Sequence, residues 1–188
     1  MPLKIHIPKN DDLWDESSER FISSKEADLV FEHSLVSISK WEMKWKRAFL
    51  SPKPLTDEQI VDYIERCMAI GGNNIDPMVY KSLFAYPDKI LQIKDYMEDP
   101  MTATHFHDRQ SASQTYRNRS ITSEEIYYLM AANNIPIEFQ KWHINRLLTL
   151  LKVFEVKESP KGKTSRSELI RDYAAINRAN RAKFHTKG

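Results

Sequence analysis

The stretch Ser34–Phe49, SLVSISKWEMKWKRAF, decides how this chain folds. Leu35, Ile38, Trp41, Trp45 and Phe49 recur every three or four residues with Lys40, Lys44 and Lys46 between them. That period gathers apolar side chains on one face of an α-helix. The helix is expected to run to Ser51-Pro52, where proline removes a backbone donor and clashes with the preceding turn. Upstream of it the alternation is that of strands, and downstream the helical period returns. The expected fold is therefore mainly α, a helical core with a small N-terminal antiparallel β-hairpin or sheet and a basic C-terminal helix.

On the N-terminal side, Leu3, Ile5 and Ile7 alternate with Lys4 and His6 until Pro8. Leu13-Trp14-Asp15 and Arg20-Phe21-Ile22 flank the four residues from Glu16 to Glu19, a spacing that reads as a hairpin with Trp14 opposite Phe21. A further strand over 27–32 completes the sheet, so 1–33 forms a β element packed on a helical core of 34–156.

In the core, Thr56 and Gln59 make a capping box ahead of the stripe Ile60, Tyr63, Ile64, Cys67 and Met68, which Gly71-Gly72 ends. Asp76-Pro77 opens a short helix to Phe84, and Pro87 opens another, carrying Ile90, Leu91, Ile93 and Met97. Residues 101–120 are polar and aperiodic and read as a long loop. Thr122 and Glu125 make a second capping box, with Ile121 and Ile126 placed as a hydrophobic staple. Pro136 then opens the most apolar helix, with Phe139, Trp142, Leu147, Leu150, Leu151 and Phe154. Residues 157–188 read as a polar linker and a basic final helix.

The 188 residues include four Trp, eight Tyr and eight Phe, enough to build one sizeable core. The single cysteine, Cys67, cannot close an intramolecular disulfide and sits on an apolar stripe, which suits a reducing compartment. No run approaches the 20 or so apolar residues of a membrane span, and MPLKIHIPKNDD is not a secretory leader. A soluble, cytoplasmic protein is expected. Four glycines, scattered or paired, cannot build a phosphate-cradling loop. From Lys157 onward nine Lys and Arg stand against three Asp and Glu, a balance of +6, and the remainder carries 19 against 23, or −4.

Catalytic and metal chemistry find little support. His105, His107 and Asp108 fall short of a full metal-ligand set, so neither metal nor cofactor is expected. No serine occupies a nucleophile-elbow pattern, and Glu42, Glu124, Glu125 and Glu138 lie where carboxylates complement helix dipoles. The chain is expected to act by binding rather than by catalysis. Trp41 and Trp45 are either core or a partner-binding face, and Trp142, His143 and Arg146 stand together as a second candidate. In the tail Arg178, Arg181 and Lys183 can dock on an acidic protein surface, remain a solvated face, or neutralise phosphates. Few interleaved aromatics make sequence-specific nucleic-acid reading unexpected.

Longer stretches resemble a known family. Glu32-His33-Ser34-Leu35-Val36-Ser37-Ile38-Ser39-Lys40-Trp41-Glu42, Asp99-Pro100-Met101-Thr102-Ala103-Thr104, Asn134-Ile135-Pro136, the run from Gln140 through Trp142-His143-Ile144-Asn145-Arg146 to Leu148, and the ending from Asn177 to Gly188 are similar to small tailed-bacteriophage proteins described as tail assembly chaperones. The likeness spans nearly the whole chain, with departures at Met43, His105, His107 and Ala131. It implies a non-catalytic factor in the host cytoplasm that binds the long, helix-rich tape-measure protein, or other tail proteins, during virion morphogenesis. A second copy of the chain is a further partner to consider. The other readings are a structural virion component, such as a neck or tail-completion protein, and a nucleic-acid-binding accessory protein.

Overall fold

The computed structural model describes residues 2–15, 19–70, 75–104, 106 and 112–158. Contacts divide the chain into Met1–Lys152 and Val153–Gly188; the architecture below is that of the first unit. The order is β1 (Leu3–Ile7), β2 (Asn10–Asp15), β3 (Arg20–Ser24), β4 (Ala27–Phe31), α1 (Leu35–Trp45), α2 (Asp57–Asp62) with a π-helical continuation Tyr63–Met68, α3 (Pro77–Phe84), α4 (Pro87–Glu98), α5 (Ala112–Arg119), α6 (Ser123–Ala132), a 3₁₀ segment Ile137–Lys141, and α7 (Ile144–Glu158). The protein is mainly helical with a small antiparallel strand element at its N-terminus. The unit boundary falls inside α7, and no described helix is long and apolar enough to cross a membrane.

The strands form two two-stranded antiparallel sheets, β1 with β4 and β2 with β3, rather than the single sheet expected, and the two follow one another along a ribbon. β1 pairs with β4 from Leu3↔Phe31 to Ile7↔Ala27, and Asn10↔Ser24 continues that register three residues further along each strand. Pro8 interrupts the ladder, as a residue without an N–H must. Between Asn10 and Leu13 the register slips, so Leu13 faces Ile22 and Trp14 faces Phe21, as expected. Alternation decides the faces: Ile5, Ile7, Leu29 and Phe31 are buried, while Lys4 and His6 on the other face are exposed. β4 also extends the sheet beyond the hairpin. Phe31 bridges to Ala69, with Glu32 N–H donating to the Met68 carbonyl and Ile70 N–H to that of Val30. The helix therefore ends at Met68, before Gly71-Gly72, which lie outside the described residues.

α1 ends at Trp45, six residues before the expected stop at Ser51-Pro52. Lys46 takes the left-handed conformation (φ 52°) and donates its N–H to the Glu42 carbonyl, closing the helix. The reversal brings Phe49 back onto Trp41 and Tyr63, with ring centroids 5.2 and 4.4 Å apart, so the apolar periodicity survives in space after the helix has stopped. Both capping boxes form as read, at Thr56–Gln59 and Thr122–Glu125, and Ile121 and Ile126 of the staple are both buried. α6 closes with Asn134 left-handed (φ 53°) and Ile135 N–H reaching the Met130 carbonyl at 2.8 Å, a Schellman closure that the short Asn side chain tolerates.

Two further expectations are corrected. The stretch 101–120 is not loop throughout, because α5 occupies Ala112–Arg119 and buries Tyr116. Nor is 136–154 one helix. A 3₁₀ segment precedes Trp142, whose backbone is extended (φ −68°, ψ 156°), and His143 bridges to Ser34 before α7 begins. Apolar period alone cannot see that break, since the apolar residues Phe139, Trp142, Leu147, Leu150 and Leu151 run across it at roughly helical spacing. The basic C-terminal helix lies outside the described residues.

Candidate functional site

His33, Tyr63, Tyr96, His143 and Asn145, from four separate parts of the chain, meet at a buried junction. His33 is fully buried at the end of β4, its Nδ1 2.6 Å from the Tyr63 hydroxyl. Its carbonyl accepts the Ile144 N–H at 2.8 Å, and its ring stands edge-on to that of His143, centroids 5.1 Å apart. The Asn145 N–H donates to Nδ1 of His143, which leaves Nε2 to donate to the Tyr96 carbonyl at 2.9 Å. Asn145 Nδ2 donates to the carbonyls of Met97 (3.0 Å) and Asp99 (2.8 Å). A helix end leaves its last carbonyls without partners; His143 and Asn145 supply them for α4.

Burial, reinforced by the fields of His143 and Arg117, drives the His33 imidazole well below the usual histidine range. Burial likewise lowers His143, against the opposing pull of its hydrogen bond to Tyr96 and the charge of Asp99. Both rings are held neutral. His143 is thus a buried joint between α7 and α4 rather than a partner contact. Across the junction, the Glu42 carboxylate is also buried, accepting N–H groups from Phe49 at 2.8 Å and Ser123 at 2.7 Å. It joins the end of α1 to the first turn of α6, where a negative charge meets the positive end of that helix.

The tryptophans divide. Trp41 lies wholly in the core, donating Nε1–H to the Gln59 carbonyl, so it is unavailable to a partner. Trp45 is half-buried and bonds Asp62 at 2.8 Å, tying α1 to α2. Burial opposes ionisation of Asp62, yet hydrogen bonds from Lys44 and Trp45 and the charge of Arg66 hold its carboxyl below the usual range. Trp142 is half-buried in a surface stack, parallel to Phe139 at 3.9 Å with the Arg146 guanidinium 4.0 Å from its ring centre. Arg146 itself is exposed, and Ile137 and Tyr128 are exposed large side chains on neighbouring elements. Arg178, Arg181 and Lys183 lie outside the described residues, as do His105, His107 and Asp108. Among the described residues no three His, Cys, Asp or Glu gather as metal ligands. Burial pushes the Cys67 thiol up to about 11, in keeping with a packed side chain.

One concave feature stands apart from these contacts. A cavity of about 420 Å³ opens between the 49–64 segment and α4. Its apolar lining comes from Phe49, Leu55, Ile60 and Ile64 on one segment and Ile90, Ile93 and Met97 on α4. Arg47 shapes one side by donating to the Lys53 carbonyl at 2.8 Å. Ile60 is 39% exposed rather than part of a closed core. The sequence carries one sign of this groove: on α4 the i, i+3, i+7 set Ile90, Ile93 and Met97 contains more apolar surface than one neighbour covers, and only Ile93 is fully buried.

No protein-family model, curated protein or solved structure matches the chain.

Proposed function

We propose that this chain is a non-catalytic assembly chaperone of a tailed bacteriophage, binding the tape-measure protein in the host cytoplasm while the tail is built. The groove between 55–64 and α4 is the observation that carries this reading. A cleft lined by apolar side chains from two segments is what an amphipathic helix needs to bury its apolar face reversibly. The resemblance supplies the identity of the partner, and two of its stretches include His33, His143 and Asn145, whose junction ties α4 to α7. In this reading they specify the scaffold, and the groove is what the scaffold presents.

Co-expression of the full chain with the tape-measure product, followed by affinity capture, tests the proposal. Co-purification is expected, together with depletion of the chain from purified virions. Retention in virions at a fixed copy number would assign it instead to a structural component of the particle. Failure to co-purify, with salt-sensitive retention on DNA, would favour a nucleic-acid accessory role.

A further inference from the structure

The groove has a chemical signature on its rim as well as its walls. Lys53 reaches it from the loop before α2, Lys94 from α4 and Arg117 from α5, against a single acidic residue, Glu98. All four are exposed. Three cations from three separate elements converge on one apolar cleft, although residues 1–156 as a whole carry a net negative charge. The groove lining therefore carries a net charge of +2, three cations less one acid, and it complements carboxylates placed beside an apolar seam.

The walls set the spacing of the occupant. Ile90 to Met97 spans seven residues of one helix, about 10 Å of rise at roughly 1.5 Å per residue. A partner helix covers that length with apolar residues at i, i+3 or i+4, and i+7. Carboxylates flanking these anchors then lie toward Lys53, Lys94 and Arg117. We infer that the groove formed by Leu55, Ile60, Ile64, Ile90, Ile93 and Met97, with its Lys53, Lys94 and Arg117 rim, receives an amphipathic partner helix whose apolar seam is flanked by Asp or Glu. This rests on the chaperone reading and narrows it from helices in general to acid-flanked ones. Helices carrying Lys or Arg beside their apolar face are rejected by the same rim, so the groove selects among helices as well as covering them.

The test uses the full-length chain and two labelled 14-residue helical peptides with Leu at i, i+4 and i+7, one flanked by Glu and the other by Lys. Fluorescence anisotropy at low salt should show the Glu peptide binding at least about tenfold more tightly, an advantage that shrinks as salt is raised. The double variant Lys94→Glu/Arg117→Glu, confined to exposed positions, should invert the preference. Ile60→Asp should weaken both peptides by about tenfold or more, and its circular dichroism and urea midpoint should stay near those of the parent chain. Equal binding of the two peptides, or a preference untouched by the double variant, overturns the inference. Binding of a small apolar dye with no binding of either peptide also overturns it, making the cleft a small-molecule cavity. Co-purification separates the two levels. If the tape-measure product is captured equally by parent and groove variants, this inference fails and the chaperone reading stands. If the parent chain takes the Glu peptide but not the tape-measure product, the chaperone reading fails and the groove assignment stands.

Discussion

Replacing Glu42 by Gln changes one oxygen to an amide nitrogen and should destabilise the protein far more than its size suggests. The carboxylate is buried, and each oxygen accepts one backbone N–H, from Phe49 and from Ser123. An amide can accept at only one of these positions, so the other N–H faces a donor, and an unsatisfied buried donor costs about 1–3 kcal/mol. The surviving bond loses its charge assistance, about 1 kcal/mol. Removing the negative charge from the first turn of α6 costs about another 0.3–1 kcal/mol. Together these give about 2–5 kcal/mol, a large share of a stability of about 5–15 kcal/mol. Urea unfolding followed by tryptophan fluorescence should show the midpoint falling while the slope holds, which marks lost stability rather than a changed unfolded state. Glu98→Gln, at an exposed position, should change stability by less than about 0.5 kcal/mol. A loss below about 1 kcal/mol at Glu42 would refute the argument, because it would mean that neither N–H depends on the carboxylate.

Acid should begin to destabilise the protein before its carboxylates titrate. His33 and His143 have lowered values in the fold and ordinary ones, near 6.5, when unfolded. The unfolded chain therefore takes up protons first, and stability present above pH 6.5 declines below it, by up to about 1.4 kcal/mol per pH unit for each ring that stays neutral. Urea midpoints unchanged between pH 7.5 and 5.5 would contradict the buried junction. Asn145→Ala, which strips partners from the Met97 and Asp99 carbonyls, should cost about 2–3 kcal/mol, and by freeing the end of α4 it should raise amide exchange there; a neutral result would remove Asn145 from its capping role. Trp142→Ala should cost about 2 kcal/mol by urea denaturation, less than the 3–5 kcal/mol of a core tryptophan, because the ring is half-buried and held by Phe139 and Arg146. A loss above 4 kcal/mol would place it in the core after all.

The elements that could be read from residues alone are those whose determinants are local. Thr56 with Gln59, and Thr122 with Glu125, cap their helices through bonds spanning three residues, and they form as the spacing says. The ribbon's Trp14–Phe21 pairing follows from the short connection between two alternating runs. Period also marked Trp41 as one of a helical stripe, but whether that stripe met core or solvent depended on what folded over it: Trp41 is enclosed, Trp45 only half so.

Everything the tertiary structure decided involves partners far apart in the chain. Glu42 meets Ser123 across 81 positions, and Asn145 caps α4 from 46 and 48 positions away. No periodicity records such contacts, because the energy of a buried polar group depends on who else is excluded from water with it. The break at Trp142, where His143 bridges to Ser34, and the groove, lined from the 49–64 segment, α4 and α5, share that origin. The early stop of α1 is local instead, closed by Lys46 N–H on the Glu42 carbonyl. The amino-acid pattern by itself determines a chain of capped helices behind a β-ribbon, and their assembly alone decides which apolar residues become core and which line the groove.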